Sequence, residues 1–539
     1  MAALPNKLPI IGQYSRPSDS RAILGGEASN EIIFAVVGGA GSGTSFIAKT
    51  LRNILVDANI DAPILKASKV ILEWAVRMGK PIPPPEPKTL RSGEILQDYG
   101  DEMREGVGTG RPDNSAVALG LIIEIQRTRA EKVGVPFEPG REVFPDGTKR
   151  AYILDSIRHS AEVHLLRQVY GDAFVLIGVV CDQSKREERM RVKYDDGGAA
   201  NAQKFMRRDN ADDGRQHGQH VGDAFHLADF FVDNTNDRET AASTSNREWK
   251  ANEDLSRLVK IVTGTHLERP RLAETAMYHA FSTQMQSACL SRRVGAALVD
   301  KDGNIAATGA NEVPKAGGGV YGESANPDSN DSRCAFFENP DQRYCRNTRE
   351  QNNIVTELIQ TLEALNISQD IDKEILAQEL RRTRIGGLLE FSRAVHAEMD
   401  ALLSAARKGV ALVGTRLFVT TYPCHYCARH IVTAGVDEVQ FIEPYPKSQA
   451  LKLHQDSITT EGRGWKPPSD GGTHVLFHPF TGVSPRLYRR AFLMSGELKD
   501  KKTGDMRIHE PHWISQWYLP KIGYVSIEAK LVSENRRDV

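Results

Sequence analysis

Four side chains in this sequence have the types and the spacing of a catalytic zinc site. His396 and Glu398 form an H-x-E pattern, and Cys424 and Cys427 close a P-C-x-x-C pattern further along the chain. Catalytic zinc takes three protein ligands and keeps a fourth position for water, so His396, Cys424 and Cys427 are the predicted ligands. Glu398 would reach that water without binding the metal. The pattern therefore predicts a zinc-activated water beside a carboxylate that moves its protons.

The elements predicted around these residues suit this chemistry. VHAEMDALLSAARKG predicts a helix, TRLFVTT and EVQFIEP predict strands, and another helix is expected to begin at Cys424. The cysteines then lie where a strand gives way to a helix, and the backbone N–H groups at a helix start favour the thiolate. Upstream, VGAALVDKDGNIAATG predicts a β-hairpin that turns at Asp302 and Gly303.

The combined H-x-E and P-C-x-x-C patterns are those of zinc nucleobase deaminases. With the segment SACLSRRVGAALVDKDGNIAATGANEVP at 287–314, they make residues 270–450 resemble the cytidine deaminase superfamily, and within it the deoxycytidylate deaminase branch. A chance H-x-E beside an unrelated half of a structural zinc knuckle is the alternative to this interpretation.

The resemblance also implies a set of substrate contacts. Asn311 would hold the 3′-hydroxyl side of the sugar, Arg292 or Arg293 would lie near the phosphate, and Tyr445 near the base or phosphate. Ala397, inside the H-x-E pattern, is included in the predicted substrate-binding set. The alternatives are a plain turn residue for Asn311, solvated surface for the arginines and core packing for Tyr445.

The remaining cysteines have less defined roles. The chain has six cysteines, too few for a secreted disulfide scaffold, which indicates a reducing cytoplasm. Cys334 and Cys345 could join a histidine in a second zinc site, and unligated thiols are the alternative. Cys181 ends an apolar strand and is expected in the core.

A glycine-rich run near the N-terminus matches the P-loop pattern G-x-x-x-x-G-K-[ST], except that a threonine stands in place of the lysine. It lies between a predicted strand at 32–37 and a predicted helix, so backbone amides could still hold phosphate. The missing lysine favours nucleotide sensing or substrate capture over phosphoryl transfer, and a glycine-rich turn without ligand is the alternative. Asp155 is the expected acidic partner, and Arg207 and Arg208 resemble the lid arginines of nucleotide kinases. The predicted phosphate-binding residues are Gly38, Gly41, Ser42, Gly43, Thr44 and Ser45.

The chain is predicted to be an α/β protein with more than one domain. Continuous apolar runs at 151–155, 174–181 and 228–234 are typical of buried parallel strands. We expect an irregular lead-in at 1–29, a P-loop nucleotide-kinase-like domain with a parallel sheet at 30–262, a deaminase domain at 268–490 and an extension at 491–539. By resemblance, the deaminase domain is an α/β/α sandwich of the cytidine deaminase type, interrupted by an insertion at about 315–385 that includes a charged helix at about 352–383.

Charge and hydropathy exclude several classes of function. Lys and Arg number 69 against 70 Asp and Glu, so the net charge is -1, whereas general polyanion binders usually carry a basic excess. This balance favours free nucleotides over polymers as substrate. No apolar run approaches the roughly 20 residues of a membrane span, and no signal peptide is evident, so no membrane partner and a cytoplasmic location are expected.

A P-loop domain followed by a deoxycytidylate-type deaminase resembles the bacterial anti-phage dCTP deaminases. Matching segments include HVGDAFHLADFFVDN at 220–234 and HPFTGVSPRLYRRAF at 478–492. The resemblance implies a zinc enzyme that converts dCTP to dUTP and dCMP to dUMP and so depletes the cytosine nucleotide pool during infection. It also implies a homo-oligomer, and in some such systems a small RNA holds the enzyme inactive.

Two other functions stay open at this point. The deaminase could act on RNA or single-stranded DNA, which the neutral charge argues against. Alternatively, the chain could be an ATP-dependent switch or nucleotide kinase with an accessory deaminase, which Thr44 argues against. The P-loop ligand would be ATP, GTP or a dNTP with Mg²⁺.

Overall fold

The computed structural model describes most of the chain. Parts of the predicted lead-in, the Pro-rich loop near 85–88, the polar segment near 236–249, the insertion and the C-terminal extension lie outside the described residues. The described residues are 29–84, 89–194, 196, 198–210, 217–235, 250–264, 266–322, 333–367, 371–445, 448–462, 464–493, 499–506 and 523–535.

Strands and helices alternate along much of the chain. The strands are β1 (Glu31–Val37), β2 (Ile64–Lys66), β3 (Arg150–Ile157), β4 (Phe174–Val180), β5 (Phe230–Asp233), β6 (Gly295–Val299), β7 (Ile305–Ala310), β8 (Arg416–Thr421), β9 (Glu438–Glu443), β10 (Ile458–Thr459), β11 (Val475–Pro479) and β12 (Gly482–Val483). The helices are α1 (Thr44–Asp57), α2 (Ala67–Arg77), α3 (Leu90–Glu105), α4 (Ala116–Val133), α5 (Ser160–Tyr170), α6 (Gln183–Lys193), α7 (Ala199–Asn210), α8 (Val221–Phe225), α9 (Lys250–Thr263), α10 (Leu272–Gln284), α11 (Arg346–Ala364), α12 (Lys373–Arg382), α13 (Ala397–Arg407), α14 (His425–Ala434), α15 (Ala450–Leu453), α16 (Pro485–Phe492) and α17 (Gly523–Glu534).

The chain divides into two compact units. Unit 1 combines Met1–Arg269 with Arg489–Val539, and unit 2 is Pro270–Tyr488. Unit 2 therefore lies, in sequence, between the two segments that form unit 1. The segment predicted as a C-terminal extension groups with unit 1, which the sequence did not indicate.

Unit 1 contains a parallel sheet of five strands in the order β5-β4-β1-β3-β2. Every residue of β1, β3 and β4 is buried, because helices cover both faces of such sheets and the strands are mostly apolar. The predicted parallel sheet is confirmed. The glycine-rich run follows β1 directly, so it lies at the carboxyl edge of this sheet, where ligands of open α/β sheets bind.

Helix α17, close to the C-terminus, contributes a buried charge to unit 1. The Glu528 carboxylate accepts hydrogen bonds from Arg129, with Nη1 at 2.7 Å, and from the Tyr170 hydroxyl at 2.7 Å. Arg129 also pairs with Glu31 on β1 at 2.7 Å. The side chains of Arg129, Glu31 and Glu528 are 0% exposed. Such a closed set of charges fixes where α17 packs, because any one of them left without its partners would be a buried unpaired charge.

Unit 2 is built on a second sheet, with the order β10-β11-β9-β8-β6-β7. β6 runs antiparallel to β7 and β8, and the other pairs are parallel. The predicted hairpin joins β6 and β7, and Gly303 takes the left-handed conformation with φ 88° at its turn. Helix α13 packs on β7. A Cβ at Gly309 of β7 would lie 2.3 Å from the Ala397 carbonyl oxygen, so glycine permits this close approach.

The insertion differs from its prediction. The prediction of a single charged helix at about 352–383 is wrong, because the structure has two helices there, α11 and α12. Asn366 follows the end of α11 with φ 57°, a left-handed conformation that interrupts an α-helix.

Each helix in the described part of the chain is too short or too polar to cross a lipid bilayer.

Candidate active site

Two helix starts bring the predicted zinc ligands together. His396 is the N-cap of α13, with an extended backbone at φ −75° and ψ 154°. Cys424 is the N-cap of α14, and its Sγ accepts from the Cys427 backbone N–H at 3.5 Å. The strand β8 ends three residues before Cys424, as the strand-to-helix prediction required.

The three donor atoms have the separations of a tetrahedral metal site. His396 Nδ1 lies 3.2 Å from Cys424 Sγ and 3.4 Å from Cys427 Sγ. Zinc–ligand bonds of about 2.0 and 2.3 Å at tetrahedral angles place such atoms about 3.5 Å apart. Within the described part of the chain, this is the one cluster of three or more His, Cys, Asp or Glu residues close enough to share a metal ion. The donor set therefore fits zinc.

Electrostatics within the cluster favour a thiolate at one of the three ligands. The hydrogen bond from Cys427 and the contact with His396 outweigh burial and lower the pKa of Cys424 to about 4. Burial acts to lower the pKa of His396, but the hydrogen bond to Cys424 outweighs it and raises that pKa to about 9. The pKa of Cys427 is well above its usual value, because its hydrogen bond with Cys424 and its burial favour the thiol. Zinc would displace the protons on His396 and Cys427 as it binds.

Glu398 is a buried carboxyl group beside this cluster. Its side chain lines the same cavity as His396 and Cys424, and the residue is 4% exposed. Burial raises the pKa of Glu398 to about 7. A group with this pKa can take up and release a proton near neutral pH, which is the property of a general acid–base.

The cavity has a volume of about 380 Å³, within the range of small-molecule sites. It is lined by Ala288, Cys289, Leu290, Ser291, Arg292, Val294, Asn311, Glu312, Val313, Cys334, Cys345, Arg346, Asn347, Leu389, Ser392, Arg393, Ala394, His396, Glu398, Thr421, Tyr422, Cys424 and Tyr445.

Three of the predicted substrate contacts lie in this lining. The Asn311 side chain accepts from the Val294 N–H at 2.6 Å and donates to the Arg292 carbonyl at 2.6 Å, so it also fixes the loop that carries Arg292. The Arg292 guanidinium pairs with Glu443 at 3.3 Å and lies 5.6 Å from the Tyr445 ring centre. Arg292 and Tyr445 thus lie side by side at the cavity, as a phosphate or base contact requires.

The other two predicted contacts lie elsewhere. Arg293 is exposed and Ala397 is fully buried in the core of unit 2. Neither is among the described residues that line the cavity. Arg293 was named as the alternative to Arg292, and the structure places only Arg292 at the cavity.

The sequence prediction missed two arginines in the lining. Arg346 begins α11, and Arg393 lies three residues before His396. Both belong to, or closely follow, the insertion, where no motif relates residue spacing to the cavity. Cys334 and Cys345 also line the cavity, but no second metal cluster forms among the residues that the structure describes.

The glycine-rich loop of unit 1 lies beside a second, larger cavity. Gly43 is the N-cap of α1 with φ 89°, and no side chain caps the first helical N–H groups. The N–H groups of Thr44 and Ser45 precede the first helical hydrogen bond, which Phe46 donates to the Gly43 carbonyl, and they can meet an anion. Gly41, Gly43, Thr44 and Ser45 line the cavity of about 870 Å³ together with Asp155, whereas Gly38 and Ser42 are not among its described lining residues. Basic side chains also line it: Lys49, Lys66, Arg158, Lys185, Arg189 and Lys193.

A carboxylate already engages this loop. Asp209, on α7, accepts from the Ala40 backbone N–H at 2.6 Å and from Arg158 Nη1 at 2.8 Å, and it is 2% exposed. The neighbouring Arg208, predicted as a lid arginine, instead pairs with Asp98 and Asp101 at 2.7 Å each. Arg207 is exposed and is not among the described residues that line this cavity.

Comparison with known proteins identifies unit 2. A model of the cytidine and deoxycytidylate deaminase zinc-binding region matches residues 270–443. The deoxycytidylate deaminase of Enterobacteria phage T2 is 30% identical over 179 residues, 33% of this chain and 82% of the phage protein. The deoxycytidylate deaminase of Enterobacteria phage T4 is 29% identical over 180 residues, 33% of this chain and 80% of the phage protein.

The chain belongs to the cytidine and deoxycytidylate deaminase family. It is accordingly a deaminase, which is a hydrolase, and this prediction is confirmed. A solved dCMP deaminase of cyanophage S-TIM5, in complex with dCMP and dUMP, is 20% identical over 40% of this chain and 99% of that chain. Its TM-score of 0.22 is too low to add to the sequence match.

Proposed function

We propose that this protein is a zinc-dependent deaminase of free deoxycytidine nucleotides, which converts dCTP to dUTP and dCMP to dUMP with release of ammonia. The observation that carries the proposal is the cavity lined by Glu398, His396 and Cys424, with Cys427 in the same metal-binding cluster. The phage relatives named as deoxycytidylate deaminases support the choice of substrate. A near-neutral overall charge supports free nucleotides rather than polynucleotides.

His396, Cys424 and Cys427 would hold zinc, which supplies a water of lowered pKa when it is bound. Glu398 then takes a proton from the attacking water on its carboxylate. It passes this proton to the ring nitrogen N3 of cytosine as the water oxygen bonds to C4. The hydroxyl now bonded to C4 gives its proton to the Glu398 carboxylate, which passes it to the amino group at C4. The bond between C4 and this nitrogen breaks as the C4 carbonyl forms, and ammonia leaves, so that water and cytosine yield uracil and ammonia.

A nucleotide panel tests this proposal. Purified protein is incubated with dCTP, dCMP, CTP and a cytosine-containing oligonucleotide, and uracil products and ammonia are measured together with the zinc content. We expect uracil formation from the deoxycytidine nucleotides and about one zinc per chain. Deamination of the oligonucleotide alone would contradict the proposal and favour a polynucleotide deaminase.

The proposal extends to unit 1, which we assign as a P-loop unit that binds ATP, GTP or a dNTP with Mg²⁺ and regulates the deaminase. The support is the uncapped start of α1 beside a cavity with several basic side chains. Since Thr44 replaces the P-loop lysine, these lining cations would balance the phosphates. Because Asp209 already bonds to the loop, a nucleotide would have to displace this carboxylate.

Isothermal titration of the full-length protein with ATP, GTP and dNTPs tests the P-loop assignment. The Gly43→Ala variant puts a side chain at φ 89° in the loop and should abolish binding. The matched control is Gly134→Ala, which has φ 77° at the end of α4 with open space around it. If the wild-type protein binds none of these nucleotides, the regulatory assignment is wrong.

By resemblance, the biological role is depletion of the dCTP pool during phage infection, in a homo-oligomer that a small RNA can inhibit. Cells that express the wild-type protein or the Glu398→Gln variant can be infected in parallel, with phage yield and dCTP concentration measured. Equal phage yields would contradict a defence role that depends on deamination. Light scattering and extraction of co-purified RNA test the assembly and the RNA partner.

A further inference from the structure

The glycine-rich loop of unit 1 lacks the cation that a P-loop normally carries. A lysine at that position reaches the β- and γ-phosphates of a bound nucleotide, and Thr44 stands there in this chain. Arg189 on α6 lines the same cavity as Thr44 and Ser45. It therefore brings a positive charge to the cavity from another part of the sequence.

Two contacts hold the Arg189 guanidinium beside the loop. Its Nη1 donates to the Cys181 Sγ at 3.2 Å and lies 3.5 Å from the Ser42 carbonyl oxygen. Because Ser42 is two residues before Thr44, the guanidinium lies close to the position of the missing lysine. Asn234 Nδ2 also donates to the Ser42 carbonyl, at 2.6 Å. Arg189 can therefore turn from this oxygen to a phosphate while the oxygen keeps a donor.

Arg189 contacts a neutral thiol and not a carboxylate at this position. Burial raises the pKa of the Cys181 thiol, so the sulfur carries no charge near neutral pH. Arg189 Nη2 is buried and has no hydrogen-bond partner in the described part of the chain. A buried donor without a partner costs free energy, and phosphate oxygens are acceptors that match the guanidinium fork.

Helix α6 packs directly on the loop, which limits where Arg189 can lie. Arg186, one turn earlier on α6, donates from Nε to the Ala40 carbonyl at 2.9 Å. A Cβ at Gly39 would clash with the Arg186 guanidinium, so glycine permits this close approach. The contact between helix and loop therefore positions Arg189 before any ligand binds.

The other basic residues that line this cavity are less suited to replace the lysine. Arg158 pairs with Asp209 at 2.8 Å, and a carboxylate thus balances its charge. Lys185 pairs with Glu188 at 2.9 Å in the same way. The remaining lining cations are exposed, so water screens their charges more strongly than that of a partly buried arginine. They are Lys49, Lys66 and Lys193.

We propose that Arg189 replaces the missing P-loop lysine and binds the β- and γ-phosphates of a nucleotide in unit 1. This inference rests on the proposed nucleotide binding by unit 1 and identifies the residue that supplies its principal positive charge.

Isothermal titration of the full-length protein with ATP, GTP, dNTPs and inorganic tripolyphosphate, each with Mg²⁺, tests the inference. Arg189→Gln should raise the Kd by about 10- to 100-fold, since a hydrogen bond to a charged group contributes on this scale. Arg189→Lys should raise it less, because lysine keeps the charge without the planar fork. Tripolyphosphate carries no base, so a loss with this probe assigns the effect to the phosphates.

Thr44→Lys is the stricter test, because it restores the lysine of the pattern. In the Arg189→Gln background it should recover affinity by about tenfold or more, since a charged donor is regained. In the wild-type background it should change affinity by less than about threefold, because the place of the cation is taken and two positive charges there repel. Such non-additivity is expected of residues that contact the same ligand.

Arg191→Gln is the matched control. Arg191 lies on the same helix, is exposed and is not among the described residues that line the cavity, so its loss should leave the Kd unchanged. Thermal unfolding shows whether each variant is folded. If the Arg189 variants do not fold, Thr44→Lys alone decides, because a gain of about tenfold in the wild-type background would mean that no other cation fills this place.

The outcomes separate this inference from the proposed function. An unchanged Kd for Arg189→Gln, an equal loss with Arg191→Gln, or an equal gain from Thr44→Lys in both backgrounds would overturn the role of Arg189 and leave nucleotide binding standing. A wild-type protein that binds none of these ligands would refute the nucleotide-binding assignment of unit 1 itself.

Discussion

Two buried glutamates, one in each unit, have opposite surroundings. Glu528 of unit 1 lies against Arg129 and the Tyr170 hydroxyl and is not among the residues that line either of the two cavities described above. Glu398 of unit 2 lies beside thiols and a histidine and lines a cavity. A buried carboxylate that is closed in by an arginine supports the fold, whereas one that faces a cavity and keeps a pKa near neutrality is available for chemistry.

The same contrast holds for one histidine in each unit. His396 contacts a thiolate, which outweighs burial and raises its pKa to about 9. His159, the N-cap of α5, has its pKa lowered to about 4, chiefly by burial. The first histidine contacts thiols that would share a metal with it, and the second must stay neutral to maintain a helix cap.

The largest expected effect comes from Glu398. Glu398→Gln should lower kcat by about 100- to 10,000-fold, because general acid–base transfer is lost, while the zinc content is maintained. The temperature of unfolding should stay equal or rise, since glutamine carries no charge into the buried position. Activity within a few-fold of wild type would remove Glu398 from the mechanism.

Glu528 should show the reverse pattern. Glu528→Ala should reduce the free energy of unfolding of unit 1 by about 3–5 kcal/mol, because Arg129 would be left buried without one of its carboxylates. Chemical denaturation of the full-length protein, followed by fluorescence, measures this loss. Glu534→Gln, on the same helix but 65% exposed beside Lys530, is the control and should change stability by less than about 0.5 kcal/mol.

His159 predicts a pH dependence of stability. The unfolded chain binds a proton with a pKa of about 6.5, and the folded state resists protonation until about pH 4. The unfolded state therefore gains protons first, so this residue makes stability fall as pH is lowered through that window, by about 2 kcal/mol between pH 7 and pH 5. His159→Gln keeps an acceptor for the Ala161 N–H and should flatten this part of the profile; an unchanged slope would assign it to other groups.

The smallest expected effect is a change in nucleotide affinity when Asp209 is replaced. This substitution tests whether a third buried carboxylate is structural or regulatory. Asp209→Asn removes the negative charge that occupies the Ala40 N–H and Arg158, so ATP or GTP should bind about tenfold more tightly in isothermal titration, or about 1.4 kcal/mol. Asp57→Asn, at the exposed end of α1, is the control. Weaker binding by Asp209→Asn would mean that this carboxylate supports the ligand instead of competing with it.

The sequence predicted those parts of the sites that consecutive residues determine. Two thiols and an imidazole at two helix starts follow from local spacing, and the structure brings His396, Cys424 and Cys427 within reach of one metal ion. The glycine-rich run predicted a helix start, but it could not predict Asp209, which reaches the loop from 169 residues away. Charges brought together by tertiary packing leave no pattern in a single sequence.

The same limit explains the missed arginines and the missed C-terminal helix. Arg346 and Arg393 meet at Phe337 because the insertion folds back on the cavity, and the break after α11 depends on one residue in a left-handed conformation. Glu528 contacts Arg129 across 399 residues of chain. The strands were predicted more closely, because uninterrupted apolar runs are buried on both faces of a parallel sheet.

The pairing of Glu528 with Arg129 also affects the order in which the two units can complete their folding during synthesis. Translation produces β1 and α4 long before α17. Arg129 therefore cannot pair with Glu528 until α17 has left the ribosome. Unit 2 is contiguous and can complete its core earlier, since domains generally fold as units during synthesis. We therefore expect nascent chains that stop before Glu528 to contain a protease-resistant deaminase unit and an unfinished, protease-sensitive unit 1.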